Sequence, residues 1–124
     1  AIESGKIVVL GGLLPGQSTD SVAAMVSEIM GASMLVKATD TDGIYTADPK
    51  KDPKAKKLDA ISCAQLREML LRLPMGAGEY ELLDPVALRI VERSRMPLWV
   101  VDGRKPENIE RVVKGERIGT LVKP

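Results

Sequence analysis

Two short segments hold most of the residues able to do chemistry. The first is Gly11-Gly12-Leu13-Leu14-Pro15-Gly16-Gln17-Ser18-Thr19-Asp20, between an apolar run and a helical pattern. Its glycines allow the backbone close to an anion, and the free amides of the following helix start favour negative charge. The spacing G-x-x-x-x-G-x-[ST] nearly spells a P-loop, but Gln17 stands where the lysine belongs. A P-loop enzyme is therefore disfavoured, while a phosphate cradle remains open. A plain strand-to-helix turn capped by Ser18 or Thr19 explains the same spacing. Asp20, in the first helical turn, suits the helix dipole, or it orients lysines or a cation near a phosphate.

The second segment is Thr39-Asp40-Thr41-Asp42-Gly43-Ile44-Tyr45-Thr46-Ala47-Asp48-Pro49. A calcium loop fails here. With Gly43 as its sixth position, Ala38 would be first and Pro49 twelfth, where ligands are required. Polar groups at the carboxyl end of a strand, with Tyr45 among them, fit an adenine or ribose pocket, and Asp-Gly turn chemistry is the simpler alternative. Histidine is absent and Cys63 is the single cysteine. That removes Ser-His-Asp and Cys-His catalysis, His-ligated metals and Cys-rich zinc sites. What remains is carboxylates, lysines, arginines, hydroxyls, amides and a bound cation, a set sufficient for phosphoryl transfer.

These segments need a scaffold, and the pattern alternates strand and helix. Lys6–Leu10 is an apolar, β-branched run that reads as a buried strand. A helix follows from Thr19, with Val22, Ala23, Val26, Ile29 and Met30 on one face and Gly31 past its end. Ser33–Ala38 reads as the next buried strand. Helix 62–73 opens with Ser62 as N-cap and Gln65 three residues on, a capping box, and carries the stripe Leu66, Met69, Leu70, Leu73. Gly76-Ala77-Gly78 reads as a connector. Asp84 caps a helix to about Ser94, with Pro85 at its first position. Strand 98–101, helix 106–114 and strand 120–122 close the chain. Such alternation predicts an α/β fold, a mostly parallel sheet sandwiched between helices.

The 124 residues suit one domain, and 18 basic against 17 acidic residues exert no general pull on nucleic acid or anionic membrane. No apolar run reaches the roughly 20 residues that span a bilayer. No charged-then-apolar leader is visible, and the lone cysteine fits a reducing cytoplasm. A chain that opens without methionine just before a core strand reads as a fragment.

TDTDGIYTADPKKDPKAKKL resembles the ATP-binding segment of uridylate kinases in the amino acid kinase superfamily. GGLLPGQSTDSVAA is similar to the uridine-monophosphate (UMP) loop of the archaeal-type uridine monophosphate kinases, and residues 82–122 resemble that family's C-terminus. The likeness covers nearly the whole chain. It implies an enzyme moving the γ-phosphoryl group of Mg-ATP to UMP, giving UDP for pyrimidine nucleotide biosynthesis. Carried to matching positions, Leu13, Leu14, Pro15, Gly16, Gln17, Ser18 and Thr19 would contact UMP. Thr39, Asp40, Tyr45 and Asp48 would contact ATP, and Asp20 would be the catalytic-site aspartate that orients lysines. Mg²⁺ would be held mainly by phosphate oxygens and water. Family members are typically cytoplasmic homohexamers. Residues 1–124 would then be the nucleotide-binding C-terminal half of a kinase domain, without the N-terminal half that bears a lysine and a Gly-rich phosphate loop, and inert alone. Two alternatives remain: another enzyme of the superfamily, and a non-catalytic nucleotide-binding or storage protein of this fold.

Other residues have simpler readings. Lys50, Lys51, Lys54, Lys56 and Lys57 form a solvated basic run without interleaved aromatics. Lys37 reads as a strand-end lysine snorkelling to water, with a phosphate contact as the alternative. Trp99 reads as core and Cys63 as an incidental small residue.

Overall fold

The computed structural model describes residues 5–73 and 82–124. The 76–78 connector lies outside them. Among the described residues four helices and four strands follow one another: α1 Thr19–Met30, β1 Leu35–Thr39, β2 Ala60–Ser62, α2 Cys63–Arg72, α3 Pro85–Ser94, β3 Leu98–Asp102, α4 Glu107–Val113 and β4 Thr120–Lys123.

Helix boundaries follow local chemistry. Ser18 caps α1, its hydroxyl accepting from the Ser21 amide, and Gly31 ends it in the left-handed region at φ 61°. The capping box of α2 is formed in both directions: Gln65 N donates to Ser62 Oγ at 3.1 Å and Ser62 N to Gln65 Oε1 at 3.0 Å. Asp84 caps α3 through the Val86 amide, with Pro85 at the first helical position.

The sheet order is β1-β3-β4-β2. β1 and β3 run parallel with Leu35 opposite Leu98 and Thr39 opposite Asp102. β2 and β4 are also parallel, while β3 and β4 are antiparallel. One face of the sheet meets α1, α2 and α3 in a core of Ala24, Ile61, Leu66, Leu88, Val91, Leu98, Val100 and Val122. Val101, pointing the other way by strand alternation, and Val112 of α4 are buried outside that cluster, so α4 covers the second face. Helices α1 and α3 pack side by side and parallel. Ser18 Oγ bonds Asp84 Oδ2 at their starts, and Arg93 meets Glu28 at 2.6 and 2.8 Å near their ends.

Two expectations change. The run 6–10 joins no sheet among the described residues, and Ile7 and Val9 are 96% and 89% exposed. An apolar run becomes a buried strand only by pairing with a sheet edge under a covering layer, and this run does not pair with the edge strand β1. On α1, Ser21, Val22 and Ala24 are buried, whereas Ala23, Ile29 and Met30 of the expected face are exposed. The small Ala24 side permits close contact with α3, so helix packing overrides the larger apolar stripe. Sequence periodicity also missed β2, three residues long, and the antiparallel sense of β4.

Candidate functional site

The parallel strands β1 and β3 end together. Gly103 N donates to Thr39 O at 2.7 Å, and a Cβ on Gly103 would stand 2.8 Å from that of Ala38. Open α/β sheets bind ligands outside such carboxyl ends. The chain leaves β1 here into residues 40–58, which fold as an irregular hairpin. Tyr45 bridges Lys57, Thr46 N donates to Lys56 O at 2.9 Å, and Leu58 N to Ile44 O at 2.8 Å. Thr120, at the start of β4, clamps its base. Its buried hydroxyl accepts from Ile44 N at 2.8 Å and donates to Leu58 O. Gly43 sits against Thr120 Oγ1, leaving no room for a side chain.

Each expected ATP residue can be placed in this frame. Thr39 is the last residue of β1, and Asp40 follows it, bonded to Thr39 Oγ1 and paired with Lys50 at 3.1 Å. The Lys50 ammonium lowers the Asp40 pKa. Tyr45 directs its hydroxyl to Asp42 Oδ1 at 2.7 Å. Asp48 builds the hairpin tip, accepting from Lys50 N through its side chain and from Asp52 N through its carbonyl. Thr39, Asp40 and Tyr45 thus gather at the strand end, while the Asp48 carboxylate is used in turn formation. The lysine run is exposed at positions 50, 51, 54, 56 and 57, as expected of a solvated loop.

The Gly-rich loop has a different character. Residues 11–17 are all exposed, including Leu13 and Leu14 at 61% and 64%. A single turn, Gln17 N to Leu14 O at 3.2 Å, gives it local order, with Gly16 at φ 83° where a side chain would be strained. Pro15 lies within that turn. Ser18 and Thr19 lead into α1, beside a groove of about 250 Å³ lined by Leu10, Gly11, Thr19, Val22, Ala23, Val26 and Ser27.

Among the described residues, a contact links the first segment to the strand that leads into the second. Asp20, in the first turn of α1, holds Lys37 of β1 through Oδ2 and Nζ at 2.5 Å, with the Lys37 and Asp20 side chains 20% and 23% exposed. This partly desolvated pair outweighs a freely solvated surface pair, because fewer waters compete for it. Lys37 was expected to snorkel to water. It points instead to a carboxylate 17 positions earlier, a pairing invisible to strand periodicity. The sequence likewise read Asp84 only as a cap; its second oxygen takes Ser18 Oγ and anchors the end of the loop to α3.

Among the described residues no cluster of three or more Asp, Glu or Cys side chains could hold a metal ion. Mg²⁺ demands no such cage, since it retains waters and takes phosphate oxygens.

Residues 1–102 match the amino acid kinase family. The chain belongs to that family. It is 49% identical over 123 residues to the uridylate kinase of Methanocella arvoryzae, covering 99% of this chain and 55% of that protein. It is 52% identical over 122 residues to the uridylate kinase of Hyperthermus butylicus, covering 98% and 54%. The chain thus spans about half the length of the relatives it matches. Uridylate kinase from Archaeoglobus fulgidus superposes with a TM-score of 0.78 at 42% identity, over 90% of this chain and 50% of that one. UMP kinase from Bacillus anthracis, at 22% identity and a TM-score of 0.77, shows the same fold over 89% and 42%. Among the described residues no helix is long and apolar enough to cross a membrane.

Proposed function

We propose that this chain is the nucleotide-binding half of a UMP kinase, which passes the γ-phosphoryl group of ATP to UMP in pyrimidine nucleotide synthesis. The observation that carries this reading is the Asp20–Lys37 pair, because it ties the loop assigned to UMP to the strand that leads into the segment assigned to ATP. Leu13 to Thr19 would cradle UMP, with backbone amides and the start of α1 facing its phosphate. Thr39, Asp40 and Tyr45 would take the adenosine part of ATP, and Asp48 would shape the hairpin beside it. Asp20 would hold the Lys37 ammonium facing the transferring phosphoryl group, where a fixed cation neutralises charge that grows in the transition state. Mg²⁺ would supply further neutralisation on the ATP phosphates.

The relatives named uridylate kinase, 42–53% identical over nearly all of this chain, support the choice of substrate. Half their length has no counterpart here, so we assign this chain binding and alignment rather than a complete reaction. A cytoplasmic homo-oligomer is the form we expect, given the exposed Ile7, Val9, Ile29 and Leu71. The test is calorimetric titration of the chain with UMP and with Mg-ATP, followed by a single-turnover assay for UDP. Binding of both nucleotides is the expected result. No binding of either would overturn the reading, and UDP formed by the chain alone would show that it needs no second half.

A further inference from the structure

The residues just past β3 form an arrangement that the reading above leaves unused. Asp102 stands opposite Thr39 in the ladder, and the close approach at Gly103 pins the following turn against the end of β1. Within that turn Arg104 folds back on Asp102. Asp102 Oδ1 accepts from Arg104 N and Nε, and Oδ2 from Nη2, all at 2.9 Å. Asn108, largely buried, donates to the Asp102 carbonyl at 3.1 Å and ties the turn to α4. The guanidinium is therefore held in one orientation although its side chain is 67% exposed. Among the described residues its Nη1 has no partner. A fork fixed on one side and open on the other is preorganised for an anion, since its rotamer entropy is already spent.

The surroundings call for a cation. Asp40, Asp42 and Asp102 put three carboxylates around the end of β1 and β3, and the charges of Asp40 and Asp42 act on Arg104 after the stronger effect of Asp102. A polyphosphate approaching those carboxylates would be repelled unless fixed positive charge offsets them. Lys50 answers Asp40, and Arg104 is the rigid cation of the set.

We propose that Arg104 binds the polyphosphate of the nucleoside triphosphate at the end of β1, with Asp102 as the positioning residue that presents it. This rests on the assignment of Thr39, Asp40 and Tyr45 to ATP. Arg104 lies more than 50 positions beyond Tyr45 and outside the segment that resembles the family's ATP-binding stretch.

Titrations of the full chain, followed by fluorescence of its single Trp99 or by calorimetry, would use ATP, adenosine and UMP as probes. Arg104→Ala should weaken ATP binding about tenfold, a loss typical of one charge-assisted contact. Adenosine and UMP affinities should stay at the wild-type level. Arg104→Lys should recover part of the ATP affinity, and Asp102→Asn should reduce it less than Arg104→Ala does. The salt dependence of ATP binding should flatten in Arg104→Ala, which a merely structural role would not produce. Unchanged ATP affinity in Arg104→Ala, or an equal loss for adenosine, would overturn this assignment alone. Failure of the wild-type chain to bind ATP would overturn the ATP assignment itself, and this one with it.

Discussion

The two segments read as nucleotide contacts are built in opposite ways. Residues 40–58 are closed by their own cross-strand bonds and by Thr120 and Gly43 at their base. Residues 11–17 have one internal turn bond and seven exposed residues. The first carries its shape in its own hydrogen bonds and glycine packing. The second has an anchored end, where Ser18 meets Asp84, and an open body. Both loops are rich in turn-forming residues, so composition does not separate them. What separates them, among the described residues, is whether another element comes to meet the backbone.

The sharpest way to break this contrast is to unclamp the closed segment. Thr120→Val keeps the shape of the side chain but strands the Ile44 amide and the Leu58 carbonyl in a buried place. Unsatisfied buried polar groups are costly, so urea unfolding should show a loss of about 3 kcal/mol. A loss below about 0.5 kcal/mol would mean that the hairpin is held some other way.

A smaller effect concerns pH at the neighbouring strand end. Arg104 holds the Asp102 carboxyl at about 2, below its ordinary 3.8, first by its side-chain bonds and then by its backbone amide. A depressed folded-state pKa adds stability that is present above the unfolded value and lost as pH falls through the folded one. The melting temperature should therefore decline from about pH 4 towards pH 2 partly through this group, and Asp102→Asn should flatten that decline. Identical slopes for the two proteins would remove Asp102 from the acid response.

The smallest effect on stability belongs to the open loop. A Cβ added at Gly12 meets nothing within 4 Å. Gly12→Ala should change unfolding stability by less than about 0.5 kcal/mol. Its UMP affinity should nevertheless fall, because the added methyl keeps the backbone from the phosphate. Equal UMP affinity in calorimetry would mean that the cradle begins after this glycine.

Much of the scaffold was legible in the sequence because it is locally determined. The Ser62–Gln65 box, the Asp84-Pro85 start and the Gly31 stop each depend on a few adjacent residues, and each appears where expected. Features that depend on distant partners were not legible. Lys6–Leu10 has the composition of a core strand, but only a pairing edge could have made it one. Lys37 looked like any strand-end lysine until α1 brought Asp20 beside it. Arg104 was not singled out, since its orientation depends on the Asp102 carboxylate at the end of β3. β2 is too short to show alternation, and β4 owes its antiparallel sense to a loop of ordinary composition.

The sheet order also dictates a sequence of events. β2 finds its sheet partner in β4, about sixty positions later, whereas β4 meets β3 only about twenty positions after it. Closing the longer loop costs more entropy before any ladder bond repays it, so β4 should lock onto β2 late in folding. Thr120 is the first residue of that strand and the clamp of the hairpin. The hairpin would therefore acquire its final shape only when β4 locks in, and hydrogen exchange should find the Ile44 and Leu58 amides opening together with the β4 ladder, as one cooperative unit.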